Sequence, residues 1–457
     1  MLIKRRVRRL AILLISLYLL PVGQLWYYQV LTASRLNARP ENSRSHENLE
    51  LRGRLLDRQG KVLARTDKGR RVYPLGAAAA PLVGYVTGRL GSGGLEGELA
   101  RALAGRPRPR TLEQVRRLER EKSRRGDDLV LTLDSDLQQQ AYQLLGQDRG
   151  AILVLDLATG DILAAASRPG FDPATLEKDW QRLSQDKSAP LIDRATQGLY
   201  PPGSSFKILT MAAALESSQA EGPFFCAGSL PVTGFELYCD GARAHGALTL
   251  ESALALSCNV TFASLGRKLG LKGLEDWMKR FGMLEAPIRV PLAAAGHAPR
   301  GRPGAEEVAA AQAAIGQADM LVSPLGMARV AAVIGRGGTD LPPRLLKAVS
   351  RDGRTVDTYP VGPPRQVVSA ATAATVLQAM RAVVDRGTGG AAGTAVAGKT
   401  GTAENPHGPP HAWFVGVAPS DAPRVAVAVI LENKGYGGQH AAPVAGAIAR
   451  AALRLAR

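Results

Sequence analysis

Three short segments carry residues whose types and order could do chemistry: Ser204-Ser205-Phe206-Lys207, Ser257-Cys258-Asn259 and Lys399-Thr400-Gly401-Thr402. Ser204 is a candidate nucleophile, and Lys207, three positions on, shares its face on a helix. Tyr200-Pro-Pro-Gly203 breaks the chain just ahead and places Ser204 at or near a helix N-terminus. Free N–H groups and the positive dipole end favour developing negative charge there. A serine hydroxyl is a weak nucleophile and needs a base. Lysine serves as one only when deprotonated, against a reference pKa of about 10.4. Burial or a nearby cation lowers that value, and Lys399 is the candidate cation.

The other segments supply hydrogen-bonding groups. Ser257-Cys258-Asn259 lies between two helical patterns, Leu248–Leu256 and Val260–Leu271, and a break there turns two side chains into a cleft. Ser257 is suited to relaying a proton to a leaving amine, and Asn259 to holding Lys207 and a substrate amide. Lys399-Thr-Gly-Thr402 reads as an edge strand along which an extended substrate adds by main-chain hydrogen bonds. Gly401 permits close backbone approach of a ligand. Lys399 with Thr400 or Thr402 suits a carboxylate, and the N–H groups of Ser204 and Thr402 suit an oxyanion. Each segment alone is commonplace (a polar surface pair, a helix cap, a strand and turn). Their order and fitting local contexts together describe one acyl-transfer site.

The surrounding elements must bring these segments together. Ile208–Glu216 continues from Ser204 as a helix. Leu129–Leu133 reads as a strand, and Asp134 caps a helix through Leu145. Ala151–Asp156 and Asp161–Ser167 form a hairpin signal around Ala158-Thr159-Gly160. Ala395–Gly401, Ala412–Val417 and Val425–Leu431 are strand-like, and 441–456 is a final helix. Strands at both ends with helices between them predict an α+β sandwich, its sheet assembled from both ends. Arg52–Ala64 reads as two short strands joined at Gln59-Gly60.

The chain has 457 residues, 45% hydrophobic and 21% charged, a globular composition long enough for more than one domain. Its net charge of +18 points to an anionic surface, nucleic acid or membrane. The N-terminus favours membrane: Lys4, Arg5, Arg6, Arg8 and Arg9 precede an apolar run from Leu10 to Val30, with Trp26, Tyr27 and Tyr28 suited to an interface. Pro21, Gln24 and Gln29 weaken its second half. Thr32-Ala33-Ser34 is a poor cleavage site, so an uncleaved anchor is expected, with the N-terminus cytoplasmic and the rest outside. Nucleic-acid binding is not expected. The expected organisation is a cytoplasmic tail (1–9), an anchor (10–30), a pedestal or dimerisation-like domain (31–126) with an arginine-dense stretch at 104–126, and a large domain (127–457). Cys226 and Cys239 flank a turn-rich loop where a disulfide is plausible, and Cys258 reads as a buried thiol. The histidines suggest no metal set, since Gly408-Pro409-Pro410 forbids a helix between His407 and His411; no metal or cofactor is expected.

In these segments the chain resembles the penicillin-binding proteins, specifically the class B, monofunctional transpeptidases. The likeness extends to Arg52-Gly53, Asp57-Arg58-Gln59-Gly60, Leu63-Ala64, Gly94-Leu95-Glu96, Arg194–Ser204 and Trp413–Pro419. It implies a serine acyltransferase fold, an antiparallel sheet flanked by helices, with a small β-rich pedestal and one transmembrane helix. It implies that Ser204 attacks the penultimate D-Ala carbonyl of a peptidoglycan stem peptide, expels D-Ala, and is resolved by a neighbouring stem's amine. β-Lactams would stall at the acyl stage. On resemblance alone, a polytopic glycan-polymerising glycosyltransferase is the implied partner. About a hundred residues between anchor and large domain are too few for both a pedestal and a second catalytic domain, so the chain itself is not expected to make glycan strands. Asp193 departs from the asparagine of many relatives, which alters a local hydrogen bond. A D,D-carboxypeptidase shares the chemistry, and a β-lactamase or β-lactam sensor shares the S-x-x-K and K-T-G plan. The chain has no distinct deacylating glutamate motif and a single candidate span. A non-catalytic scaffold would not need Ser204, Lys207, Asn259 and Lys399 intact.

Overall fold

The computed structural model describes residues 2–28, 49–105, 125–406 and 408–455. The expected sheet forms from both ends of the large domain. In spatial order its strands are Ala397–Asn405, Gly408–Ala418, Val425–Leu431, Gly150–Asp156 and Ile162–Arg168, each antiparallel to its neighbour. The inner strands are nearly continuous apolar runs because helices cover both faces. Side chains alternate between the faces. Ile152, Val154, Val427 and Val429 pack with the helices Ser135–Leu144 and Gly437–Leu455. Leu153, Leu155, Ala428 and Ile430 join the larger core with Lys207–Glu216 and Pro324–Gly335. Asp134 caps its helix as expected, its carboxylate accepting from the N–H groups of Asp136 and Leu137.

A second, mixed sheet has the order Arg354–Thr358, Leu346–Arg351, Asp128–Leu131, Leu55–Leu56, Val62–Asp67, Arg70–Val72. The hairpin at Gln59-Gly60 is present, and the Asp57 carboxylate ties it down by accepting from the N–H groups of Gln59, Lys61 and Ser135. Asp128–Leu131 pairs in parallel with Leu55–Leu56, so this sheet draws on segments far apart in the chain. Gly53 is required here: a Cβ would lie 2.0 Å from the Asp127 carbonyl oxygen.

Arg52, Arg71 and Glu96 are buried together in this region. Glu96 accepts from Arg52 Nε at 2.8 Å and from Arg71 Nε at 2.6 Å, while Arg52 Nη2 also reaches the Glu96 carbonyl oxygen at 2.7 Å. One carboxylate therefore holds two guanidinium groups away from water.

The N-terminal helix Leu2–Trp26 is long and apolar enough to cross a membrane. Residues 29 and 30 of the expected span, most of the stalk, and most of the arginine-dense stretch lie outside the described residues.

Removing Glu96 leaves two buried cations without their anion. Glu96→Ala is expected to destabilise the fold by about 3–5 kcal/mol, read as a lowered urea midpoint. A loss under about 1 kcal/mol would contradict the ion triad's role.

Candidate active site

The nucleophile segment differs from the expected helix in one respect. Gly203–Phe206 is a 3-10 turn, and the α-helix starts at Lys207. In a 3-10 turn residues i and i+3 eclipse, so Lys207 still sits on the face of Ser204. The turn is wedged in place. Gly203 has φ 53°, and its N–H donates to the Gly316 carbonyl at 2.9 Å. Trp413 Nε1 donates to the Pro201 carbonyl at 3.0 Å. A Cβ on Gly401 would lie 2.9 Å from the Pro202 oxygen and from Trp413 Cβ. Gly401 thus admits the chain's own nucleophile segment; sequence reasoning assigned that close approach to a ligand.

Ser257-Cys258-Asn259 is built by a helix ending. After Leu250–Ala255, the Ser257 N–H reaches the Leu254 carbonyl and the Cys258 N–H the Ala253 carbonyl. This is a Schellman closure, with Ser257 at the left-handed position that glycine usually fills. Its φ of 57° is a strained value for a serine. The turn exposes the Ser257 carbonyl and hydroxyl on one side and lets Cys258 start the next helix, Asn259–Arg280.

These two segments meet at one ammonium group. Lys207 Nζ donates to Ser257 O at 2.7 Å, Ser257 Oγ at 3.2 Å and Asn259 Oδ1 at 2.7 Å. Three donors meet three neutral oxygens. Lys207 is fully buried, and burial lowers its pKa to about 7, opposed by the Coulombic attraction of negative charge at Cys258 and Cys239. Among the described residues no hydrogen bond joins Lys207 to Ser204.

The third segment lies on the edge strand, with Lys399 opposite Val415 and Gly401 opposite Trp413. Lys399 is also fully buried and donates to the Thr400 carbonyl at 3.0 Å. Burial holds its pKa well below the ordinary lysine range, and the charge of Lys207 lowers it further. For Lys207 itself, burial is the main cause. Two buried lysines without a carboxylate partner among the described residues are expensive to keep, which marks a functional cluster. Thr400 Oγ1 lies 2.6 Å from Thr388 Oγ1. Thr388 follows the helix Ala370–Arg386 in a glycine-rich loop, and nothing in its local sequence singled it out. Thr402 is half-buried, and a Cβ on Gly203 would lie 2.7 Å from its carbonyl oxygen, so it borders the nucleophile turn.

A polar layer lies next to the site in the chain. Glu432 accepts from Arg194 Nε at 2.7 Å and from Tyr200 OH at 2.9 Å. Asp193 is buried, accepting from Ser167 Oγ at 2.8 Å and from the Ala195 N–H and the Thr196 hydroxyl. Burial pushes its carboxyl pKa up, and those hydrogen bonds oppose the rise.

The structure revises the cysteine reading. Cys226 and Cys239 are free thiols with their sulfurs 3.5 Å apart. They lie with His245 and Cys258 in a cluster whose ligand atoms all fall within 4.8 Å of one another. One histidine and three cysteines, distant in the sequence, come together there only through folding. Cys258 is buried, as expected.

An active-serine acyltransferase is the class of protein that this sheet, the S-x-x-K turn and the two buried lysines define. The sequence profile of the penicillin-binding protein transpeptidase domain matches residues 150–450. The chain is 34% identical to the peptidoglycan D,D-transpeptidase PbpA of Mycolicibacterium smegmatis, over 98% of both chains. It is 28% identical to the peptidoglycan D,D-transpeptidase MrdA of Escherichia coli, over 80% of this chain and 69% of that one. Its fold is similar to penicillin-binding protein A from M. tuberculosis in an imipenem acyl-enzyme complex, with a TM-score of 0.78 and 31% identity over 88% of this chain and 98% of that one. This chain belongs to the class B penicillin-binding proteins.

Asp193 gives a test of the polar layer. An acid whose folded pKa is raised contributes stability that is full below its unfolded pKa, about 3.9, and lost as pH rises through the folded value. Asp193→Asn avoids the buried charge. It is expected to melt above the wild type at alkaline pH, with the gap closing as pH falls; a gap that widens on acidification would contradict the burial argument.

Proposed function

We propose that this chain is a peptidoglycan D,D-transpeptidase in which Ser204 is acylated by the stem peptide and Lys207 is the base. The buried ammonium shared by Lys207, Ser257 and Asn259 carries the reading. With a pKa near 7, Lys207 is partly neutral at physiological pH and competent to take the Ser204 proton.

Ser204 Oγ attacks the carbonyl carbon of the penultimate D-Ala, and its proton passes to neutral Lys207. The negative charge on the tetrahedral oxygen falls to the N–H groups of Ser204 and Thr402. Lys207 then returns the proton through Ser257 Oγ, 3.2 Å away, to the nitrogen of the departing D-Ala. The C–N bond breaks and an ester to Ser204 remains. An amine of a neighbouring stem attacks that ester, its proton runs the relay backwards, and Ser204 is regenerated. Asn259 holds Lys207 and the substrate amide. Lys399, Thr400 and Thr402 bind the terminal carboxylate, and Gly401 lets the edge strand lie against the nucleophile turn. β-Lactams acylate the same serine.

The chain is inserted once in a bacterial membrane, residues 1–9 cytoplasmic and 10–30 spanning. The basic flank supports this orientation. Residues 31–126 form the pedestal and 127–457 the extracytoplasmic transpeptidase domain. The pedestal contacts a polytopic glycosyltransferase that polymerises the glycan; the basic, charged character of its 104–126 segment suits a membrane-side contact.

Intact mass after incubation with benzylpenicillin is expected to show one stable adduct on wild type and none on Ser204→Ala. Rapid drug breakdown without an adduct would mean a β-lactamase. The acylation rate is expected to fall on acidification through about pH 7, as Lys207 takes up its proton, and to drop by roughly 10²–10⁴-fold in Lys207→Ala. A rate independent of pH between 5 and 9 would remove Lys207 from the role of base.

A further inference from the structure

Glu432 follows the central strand Val425–Leu431, and its backbone N–H donates to the Arg149 carbonyl at 2.7 Å, which fixes where its side chain starts. That side chain is only 9% exposed. Its Oε1 accepts from Arg194 Nε at 2.7 Å and from Tyr200 OH at 2.9 Å, and its Oε2 lies 2.7 Å from Arg149 Nη2. Burial pushes the carboxyl pKa up, but the Arg194 charge, these hydrogen bonds and the Arg149 charge outweigh it and hold the group below its ordinary range. Glu432 is therefore ionised at neutral pH and acts as an acceptor only. Among the described residues no hydrogen bond joins it to Ser204, Lys207 or Lys399, and the mechanism above gives it no part.

What Glu432 holds is the approach to the nucleophile. Arg194 turns its other donors back onto its own segment, Nη1 to the Ala189 carbonyl at 2.9 Å and Nη2 to that of Ser188. Tyr200 is buried, and its backbone exchanges two hydrogen bonds with Val322, at 3.0 and 2.8 Å. Burial and the Glu432 charge push its phenol pKa upward, so the hydroxyl stays a donor. Its ring meets Trp413 edge-on with centroids 6.2 Å apart, and His411 at 5.6 Å. Between Tyr200 and Ser204 the chain has little freedom. Pro201 and Pro202 have a fixed φ, and Gly203 lies against Thr402 with no room for a Cβ. A displacement of Tyr200 is passed on to Ser204, not absorbed.

The neighbouring residue serves the other side of the site. The Asn433 N–H donates to His411 Nδ1 at 3.1 Å, and Asn433 Oδ1 accepts from Asn405 Nδ2 at 3.2 Å. Asn405 and His411 belong to the two strands of the hairpin that carries Lys399 and Thr402. Trp413, on the same hairpin, donates to the Pro201 carbonyl at 3.0 Å. The end of one central strand thus holds both the nucleophile segment and the edge strand.

We propose that Glu432 is a positioning residue for acylation, setting Ser204 against the edge strand by gripping the hydroxyl of Tyr200. This rests on the reading of Ser204 as the nucleophile. Two arginines offset the charge of Glu432, so what it transmits is geometry. An attacking oxygen misplaced by about 1 Å loses on the order of 100-fold in rate.

The test is benzylpenicillin acylation of the full-length chain in detergent, followed by intact mass over a range of drug concentrations, which separates the noncovalent dissociation constant from the acylation rate constant. Tyr200→Phe keeps both ion pairs of Glu432 and removes only the link. It is expected to lower the acylation rate constant roughly 10–100-fold with the dissociation constant unchanged. Glu432→Ala is expected to fall at least as far. The double variant is expected to be no slower than the slower single one, because both changes break one link; losses that multiply would overturn the proposal. So would a lowered melting temperature with a wild-type rate constant, the mark of a role in stability alone. Glu432→Ala leaves Arg194 buried without its anion and can fail to fold, so the link is also read in Tyr200→Phe by NMR with isotope-labelled tryptophan. The Trp413 indole N–H resonance is expected to shift while those of Trp180 and Trp277 stay; an unmoved Trp413 resonance would also overturn the proposal. A wild type that does not acylate would sink the Ser204 reading, whereas the Trp413 resonance reports on the link alone, so the two failures are distinguishable.

Discussion

Everything near Ser204 answers to one constraint: an ammonium group, that of Lys207, is kept out of water without a carboxylate partner among the described residues. A lone buried cation carries a desolvation cost of several kcal/mol. Here three neutral oxygens, one from Ser257's backbone and two from side chains, offset part of that cost. The remainder appears as a depressed pKa, and that residue of unfavourable energy is what suits the lysine to the base role proposed for it. A carboxylate partner would stabilise the fold better and abolish the chemistry. The oxygens must then be held rigidly, since an ammonium free to reach solvent would recover its ordinary pKa.

Rigidity comes from backbone closures at each of the three segments. The Schellman ending places Ser257 at a strained φ, and the strain is held because Cys258 is committed to the following helix. The 3-10 turn at Ser204 is pinned by Gly316 on one side and by the edge strand on the other, and Gly401 and Gly203 have no room for a Cβ there. Polar side chains then connect the two sheets. Thr132 Oγ1 donates to the carbonyls of Ile162 and Arg344, and Gln138 bonds to the carbonyls of Ala78 and Ala165 while accepting from the Ala165 N–H. Residues 52–103 are in this way attached to the five-stranded sheet through hydrogen bonds as well as core packing.

Much of this was legible in the sequence, for physical reasons specific to each element. Strands covered on both faces appear as unbroken apolar runs, so 151–156 and 425–431 stood out. Asp134 and the Gln59-Gly60 turn carry local chemistry that needs no tertiary knowledge. The three candidate segments were legible because their residue types are rare in combination. What escaped depends on long-range pairing. The parallel contact of Leu55–Leu56 with Asp128–Leu131 leaves no local mark. The pairing of Glu96 with Arg52 and Arg71 joins residues dozens of positions apart. Thr388 matters only because a loop returns to Thr400. The Cys226, Cys239, His245 and Cys258 cluster is assembled by the hairpins and leaves no mark in the local sequence.

The order in which these pieces become useful follows from their separation. Ser204, Ser257 and Lys399 sit on the nucleophile turn, a helix ending and an edge strand that are distant in sequence, and each is placed by contacts with the others. Lys207 keeps its ordinary pKa until the segment around Ser257 and the covering core have closed over it, because burial is the main cause of its shift. A partly folded chain therefore holds a protonated lysine and an unactivated serine. In the proposed mechanism nucleophilicity is in this sense a property of the completed core: the burial that makes the lysine costly to fold is also what would activate the serine, and only once the fold is made.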